Sequence, residues 1–96
     1  MEIKVQSVKF NADQKLLDFV DKKLGKIEKF YEGITSVDVT MSLLNEAQNK
    51  NVKVVVAIPG NTVVVERNAK TFEDAVTEAA DILKENLTRI KEKRAE

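Results

Sequence analysis

Apolar positions along the chain switch between a period of two and a period near 3.6. Ile3 and Val5 alternate with Glu2, Lys4 and Gln6, which predicts a strand over about residues 2–9. Asn11, followed three positions later by Gln14, carries a capping-box signal for a helix start, because an Asn side chain accepts a bond from a free N–H of the first turn. Leu16, Val20, Leu24, Ile27 and Tyr31 then fall on one helical face, widened by Leu17, and Gly33 is the predicted stop. Val37, Val39, Met41 and Leu43 alternate with Asp38, Thr40 and Ser42, a strand with one wet face. Residues 45–51, NEAQNKN, are polar and turn-rich, and Val52, Val54, Val56 and Ile58 follow on one strand face. Pro59-Gly60-Asn61 marks a tight turn into a partner strand over residues 62–67, with Val63 and Val65 facing inward. Thr71 is the predicted cap of a second helix whose stripe runs Phe72, Val76, Ala79, Leu83, Leu87 and Ile90, continuing almost to the last residue.

The element order is therefore β-α-β-β-β-α, an α+β fold. Polar outward positions on the second strand leave one sheet face wet, so a four-stranded mixed sheet with both helices packed on one face is expected. Strands one and two, joined by a helical crossover, lie parallel if adjacent, and the last three form an antiparallel meander.

With 96 residues and 43% hydrophobic content, the chain is expected to form a single domain over 1–96. The longest apolar run, residues 54–58, is five residues long, far short of the roughly 20 a membrane helix needs. The N-terminus alternates in character rather than resembling a secretory signal, so a cytoplasmic chain without a membrane partner is expected. Cysteine and histidine are absent from the sequence, which removes disulfides, thiol nucleophiles, imidazole bases and the usual zinc ligands. No carboxylates follow the spacing of a calcium loop, Gly60 alone makes no phosphate cradle, and no nucleophile has an adjacent base. Asp38, Asp74 and Asp81 read better as solubilising groups than as acid/base catalysts. The expectation is a protein that is not an enzyme and has no cofactor and no small-molecule substrate.

Formal charge cancels, with 16 basic and 16 acidic side chains, yet the placement is uneven. Wound at 100° per residue, Lys15, Lys22, Lys26 and Lys29 share an arc of roughly 60° opposite the apolar stripe of the first helix, with Lys23 nearer its edge. Taken alone, the arc is better explained as a solvated helix face with scattered i,i+4 pairs, which is what most lysine-rich helices are. A second basic group, Lys84, Arg89, Lys91, Lys93 and Arg94, lies near the end of the second helix, where cations also offset the helix dipole. Side by side on one sheet face, the two groups form a positive ridge able to meet several phosphates. Against this, Asp74, Asp81, Glu85 and Glu92 make an acidic stripe along the second helix, so a nucleic-acid footprint must favour the first helix and the far C-terminal end. Tyr31 and Phe72 belong to apolar stripes, whereas Phe19 and Phe30 sit between the lysine arc and the core. No strand interior offers a ring for a stacking platform.

The segment Lys23-Leu24-Gly25-Lys26-Ile27-Glu28-Lys29-Phe30 resembles the basic-Leu-Ala-Lys-Leu-Glu-Lys-aromatic segment of the ribosome hibernation-promoting factor family, which includes ribosome-associated inhibitors once called sigma-factor modulation proteins. The second-helix pattern Asp-Lys-Leu-x-basic-Gln-Leu is met by Asp81-Ile82-Leu83-Lys84-Glu85-Asn86-Leu87, and the element order is similar across nearly the whole chain. The resemblance implies a double-stranded-RNA-binding-like domain seated in the decoding channel of the small ribosomal subunit, where it occupies messenger and tRNA positions and blocks initiation. It assigns rRNA contact to Lys23, Lys26, Lys29, Arg89 and Lys93; helical geometry adds Lys22 and Lys91. Ile82 and Glu85 stand where the family has cations, with Lys84 one position away as a substitute, and Glu73 stands where it has tyrosine. Ending at Glu96, the chain resembles a short form without acidic tail or C-terminal domain. The expected partners are rRNA and neighbouring ribosomal proteins of the small subunit. The competing reading is a protein-interaction module that uses the acidic second-helix face and the outer sheet face, where Val55 and Val64 point outward.

Overall fold

The computed structural model describes residues 1–45, 47 and 49–94, apart from the Arg94 side chain. Its elements are β1 (Glu2–Val8), α1 (Gln14–Gly25), a 3-10 turn (Lys26–Lys29), β2 (Ser36–Leu43), β3 (Lys50–Ile58), β4 (Asn61–Ala69) and α2 (Phe72–Arg94). The strands lie in the order β1-β2-β3-β4, with β1 parallel to β2 and the other pairs antiparallel. This is the predicted β-α-β-β-β-α mixed sheet.

Alternation sets the register. Val5, Val39, Val54 and Val65 form one row across the sheet, and Lys4, Asp38, Val55 and Val64 form the adjacent row. The first row turns toward the helices and the second toward solvent, since neighbouring strand positions face opposite ways and a one-residue slip would expose every core valine. Val20, Leu24 and Ile27 descend from α1 and the 3-10 turn onto that inner face, and Val76, Leu83 and Leu87 descend from α2. Both helices thus cover one face.

α2 packs on β3 and β4 and lies alongside α1. The Phe10 and Phe72 rings stack at 4.5 Å with 12° between their planes. This contact ties together the two residues just ahead of α1 and at the start of α2, so the helices begin at the same end of the sheet.

Three local features depart from the sequence expectation. The cap of α1 is Asp13, whose carboxylate accepts the Leu16 N–H at 2.9 Å, not Asn11. Lys9 takes a positive φ of 69°, and docking of Phe10 on Phe72 carries the chain onward before the helix can start. Gly33 does not stop the helix: α1 ends at Gly25, and the chain tightens into the 3-10 turn, as helix ends often do. Glycine is a poor helix former, so little opposes the change of winding there. Gly33 instead supplies a φ of 89° in the connection to β2, a conformation that a Cβ disfavours. Finally, β3 begins within the turn-rich segment, at Lys50, and the Leu44 N–H bonds the Asn49 carbonyl at 2.8 Å to close the β2–β3 connection. Glu46 and Gln48 of that segment lie outside the described residues.

The other turn and cap follow their residues. Pro59 and Gly60 link β3 to β4, with Gly60 at a φ of 75° as the second position of a Pro-Gly turn requires. Thr71 Oγ1 accepts the Asp74 N–H at 3.1 Å and caps α2.

Candidate nucleic-acid interface

The placement of the cations follows from the winding of the two helices. Within the 3-10 turn, Lys26 and Lys29 are three residues apart, and three residues complete one turn, so the two side chains eclipse. Ile27, between them, is buried, which leaves Lys26 on one flank of the turn and Glu28 on the other. A carboxylate oxygen of Glu28 lies 3.9 Å from the Met1 amine at the start of β1. Because β1 is the outer strand on that side and α2 covers β3 and β4, the Glu28 flank faces away from α2. Lys26 and Lys29 therefore lie on the flank toward α2, and Lys23, one turn earlier, is half-buried there. Lys22 is exposed farther out on α1, beside Lys15 on the arc.

α2 divides its cations between two sides. Lys84 reaches back to the first helical segment, its Nζ 5.0 Å from the centre of the Phe30 ring. Lys91, seven residues on, returns to within about 20° of Lys84 around the helix. Arg89 is turned by about 140° and Lys93 by about 180° from Lys84. Arg89 lines a shallow depression with Asn61, Thr62, Val64, Asn86 and Ile90, on the β4 side. Between the two flanks run Asp74, Asp81, Glu85 and Glu92, all exposed. Glu85 and Glu92 share one outer depression with Lys84 on one border and Arg89 on the other.

The fold thus gathers Lys23, Lys26, Lys29 and Lys84 around the groove between the 3-10 turn and α2, with Lys91 farther along and Lys22 on its outer slope. It separates Arg89 and Lys93 from them by the acidic stripe. The Arg94 side chain, counted in the second basic group, lies outside the described residues. Among the described residues the ion pairs are Met1 with Glu28 and Arg67 with Glu78, and none of the eight candidate cations belongs to either. Among the described residues none of these charges is matched by a carboxylate at ion-pair distance.

Tyr31 and Phe72 are buried, and Phe19 and Phe30 are half-buried at the groove. Each of these two rings carries a lysine: Lys23 Nζ is 5.7 Å from the Phe19 centroid, and Lys84 covers Phe30. Sequence spacing brings Lys23 and Phe19 together one turn apart, but no local signal pairs Lys84 with Phe30.

The other readings have their own geometry. Asp38 projects from the outer sheet face and Asp74 and Asp81 from α2, all exposed. Among the described residues no group of three or more His, Cys, Asp or Glu side chains is arranged to hold a metal ion. No described helix is long and apolar enough to cross a membrane. On the outer sheet face Val64 is 53% exposed and stands opposite Val55.

The profile of the Sigma 54 modulation protein / S30EA ribosomal protein family matches residues 3–95. The ribosome hibernation promoting factor of Pseudomonas putida is 30% identical over 93 residues, which span 97% of this chain and 89% of that protein. Its namesake from Azotobacter vinelandii is 26% identical over 96 residues, covering 100% and 88%. Among solved structures, the N-terminal domain of Thermus thermophilus Protein Y superposes with a TM-score of 0.83 at 25% identity, covering 94% of this chain and 99% of that one. A ribosomal subunit interface protein from Coxiella burnetii gives 0.85 at 20% identity, covering 95% and 98%, and shows the same fold.

Proposed function

The chain belongs to the Sigma 54 modulation protein / S30EA ribosomal protein family, and on that premise we propose that it is a cytoplasmic ribosome hibernation factor that binds the small subunit. In this reading the groove between the 3-10 turn and α2 seats against rRNA phosphates in the decoding channel and blocks initiation by occupying messenger and tRNA positions. The observation that carries it is the seating of Lys84 against Phe30, next to Lys29 of the 3-10 turn, together with Lys23, Lys26 and Lys29 on the helical flank toward α2, none of the four in an ion pair among the described residues. The protein acts by binding and performs no chemistry. Each lysine that meets a phosphate releases counterions, and neutralising about four to six phosphates makes affinity fall by about tenfold or more between low and physiological salt. Lys22 and Lys91 extend the contact at its rim. Arg89 and Lys93 form a second, separate patch that meets RNA only beyond the C-terminal end of the stripe.

Ribosome cosedimentation of the wild type beside Lys23→Glu/Lys26→Glu/Lys29→Glu tests this reading. The expected result is loss of the ribosome-bound fraction with an unchanged circular dichroism spectrum. Unchanged cosedimentation would falsify the lysine assignment.

A second reading rests on the adjacent outward valines, Val55 and Val64, and on the acidic stripe, which together suit a protein partner. A salt titration separates the two, because an apolar interface hardly responds to ionic strength whereas the RNA complex weakens steeply.

A further inference from the structure

The two half-buried rings at the groove do more than fill its wall. Lys84 belongs to α2, whose outer surface beside it carries Glu85 and Glu92. A lysine head on a flexible four-carbon stem samples many positions, and two of those near Lys84 lead to carboxylates that would cancel its charge. The Phe30 ring offers the opposite side. Its negative π face holds the ammonium at 5.0 Å, inside the roughly 6 Å reach of a cation–π contact. An ammonium has three N–H donors, and contact with a ring face on one side leaves donors free for phosphate oxygens on the other.

We propose that Phe30 is a positioning residue that seats Lys84 in the groove, away from the acidic stripe, and so adds a cation of α2 to the lysine set of the 3-10 turn. Phe19 does the same for Lys23 along α1, with the ammonium 5.7 Å from its centroid. This inference rests on the rRNA-binding reading for its consequence, but the seating exists in the free protein. The ring restrains the lysine before RNA arrives, so less side-chain freedom is lost on binding. It also explains how one lysine, flanked by acids on its own helix, serves a cationic groove built mainly by another.

The test compares Phe30→Leu, Phe30→Trp, Lys84→Gln and the Phe30→Leu/Lys84→Gln double variant. In the ribosome-free protein, the Lys84 ε-methylene proton signals are shifted upfield by the ring current in the wild type and in Phe30→Trp, and return to the ordinary lysine position in Phe30→Leu. In a ribosome-binding titration, Phe30→Leu weakens affinity by about two- to threefold, within the range of a cation–π contact and no more than the loss of Lys84 itself. Phe30→Trp restores it, and Phe30→Leu adds nothing in the Lys84→Gln background. An unshifted Lys84 signal in the wild type, or an equal loss from Phe30→Leu with and without Lys84, overturns the seating. A triple Lys23, Lys26 and Lys29 charge reversal that binds like the wild type overturns the rRNA reading alone, so the two failures are told apart.

Discussion

Residues 22–29 and residues 84–93 each hold four cations, yet the fold treats the two stretches differently. In the first, a break in winding at Gly25 turns Lys26 and Lys29 to one side, and Glu28 is drawn off to the β1 edge by the Met1 amine. In the second, an unbroken α-helix spreads the cations over both flanks and sets a line of carboxylates between them. Helical phase, and not the number of lysines, decides whether a basic sequence becomes a basic surface. A ring from the first region then brings Lys84 across, so the better-organised patch recruits from the poorer one.

Charge reversal breaks the comparison most severely. Lys26→Glu/Lys29→Glu is expected to weaken ribosome binding by roughly thirtyfold or more at low salt and to flatten the salt dependence by about two phosphate contacts, as read by titration at several ionic strengths. A drop no larger than that of Arg89→Glu/Lys93→Glu would erase the distinction between the regions. Next in size is the reverse experiment on the stripe. Asp81→Lys/Glu85→Lys removes repulsion close to the groove and should tighten binding by about fivefold at low salt, an advantage that disappears at high salt because exposed charges are screened. A smaller contrast sharpens the division within α2: Lys84→Gln costs about threefold in affinity, one charged contact, and Arg89→Gln less than about twofold. Equal losses would mean that RNA crosses the stripe. The smallest effect on binding is expected from Asp13→Ala, which removes the α1 cap. It should lower stability by about 1 kcal/mol in a denaturant titration while the folded protein keeps its affinity and salt slope.

Much of the architecture was legible because burial imposes a period. Val37, Val39 and Met41, like Val52, Val54 and Val56, are buried where alternation placed them, and the stripe from Val20 to Ile27 met the stripe from Val76 to Leu87. Helix entry was harder to read. Asn11 and Asp13 have similar capping chemistry, and the cap falls on Asp13, beyond the Phe10 ring that stacks on Phe72, a contact distant in sequence. The candidate interface was legible in its lysines and not in its grouping. Lys84 reads as a neighbour of Arg89 along the chain, but it is joined to Phe30 in space.

The sequence alone determined the order of the elements, the face each one buries and the residues available to carry charge, because these depend on local periodicity and on the cost of exposing apolar side chains. Only the tertiary structure decided which charges act together. That outcome depends on the angle at which each side chain leaves its helix and on what the neighbouring element presents to it. Coulomb and cation–π interactions weaken over a few ångströms in water, so spacing along the chain does not fix them.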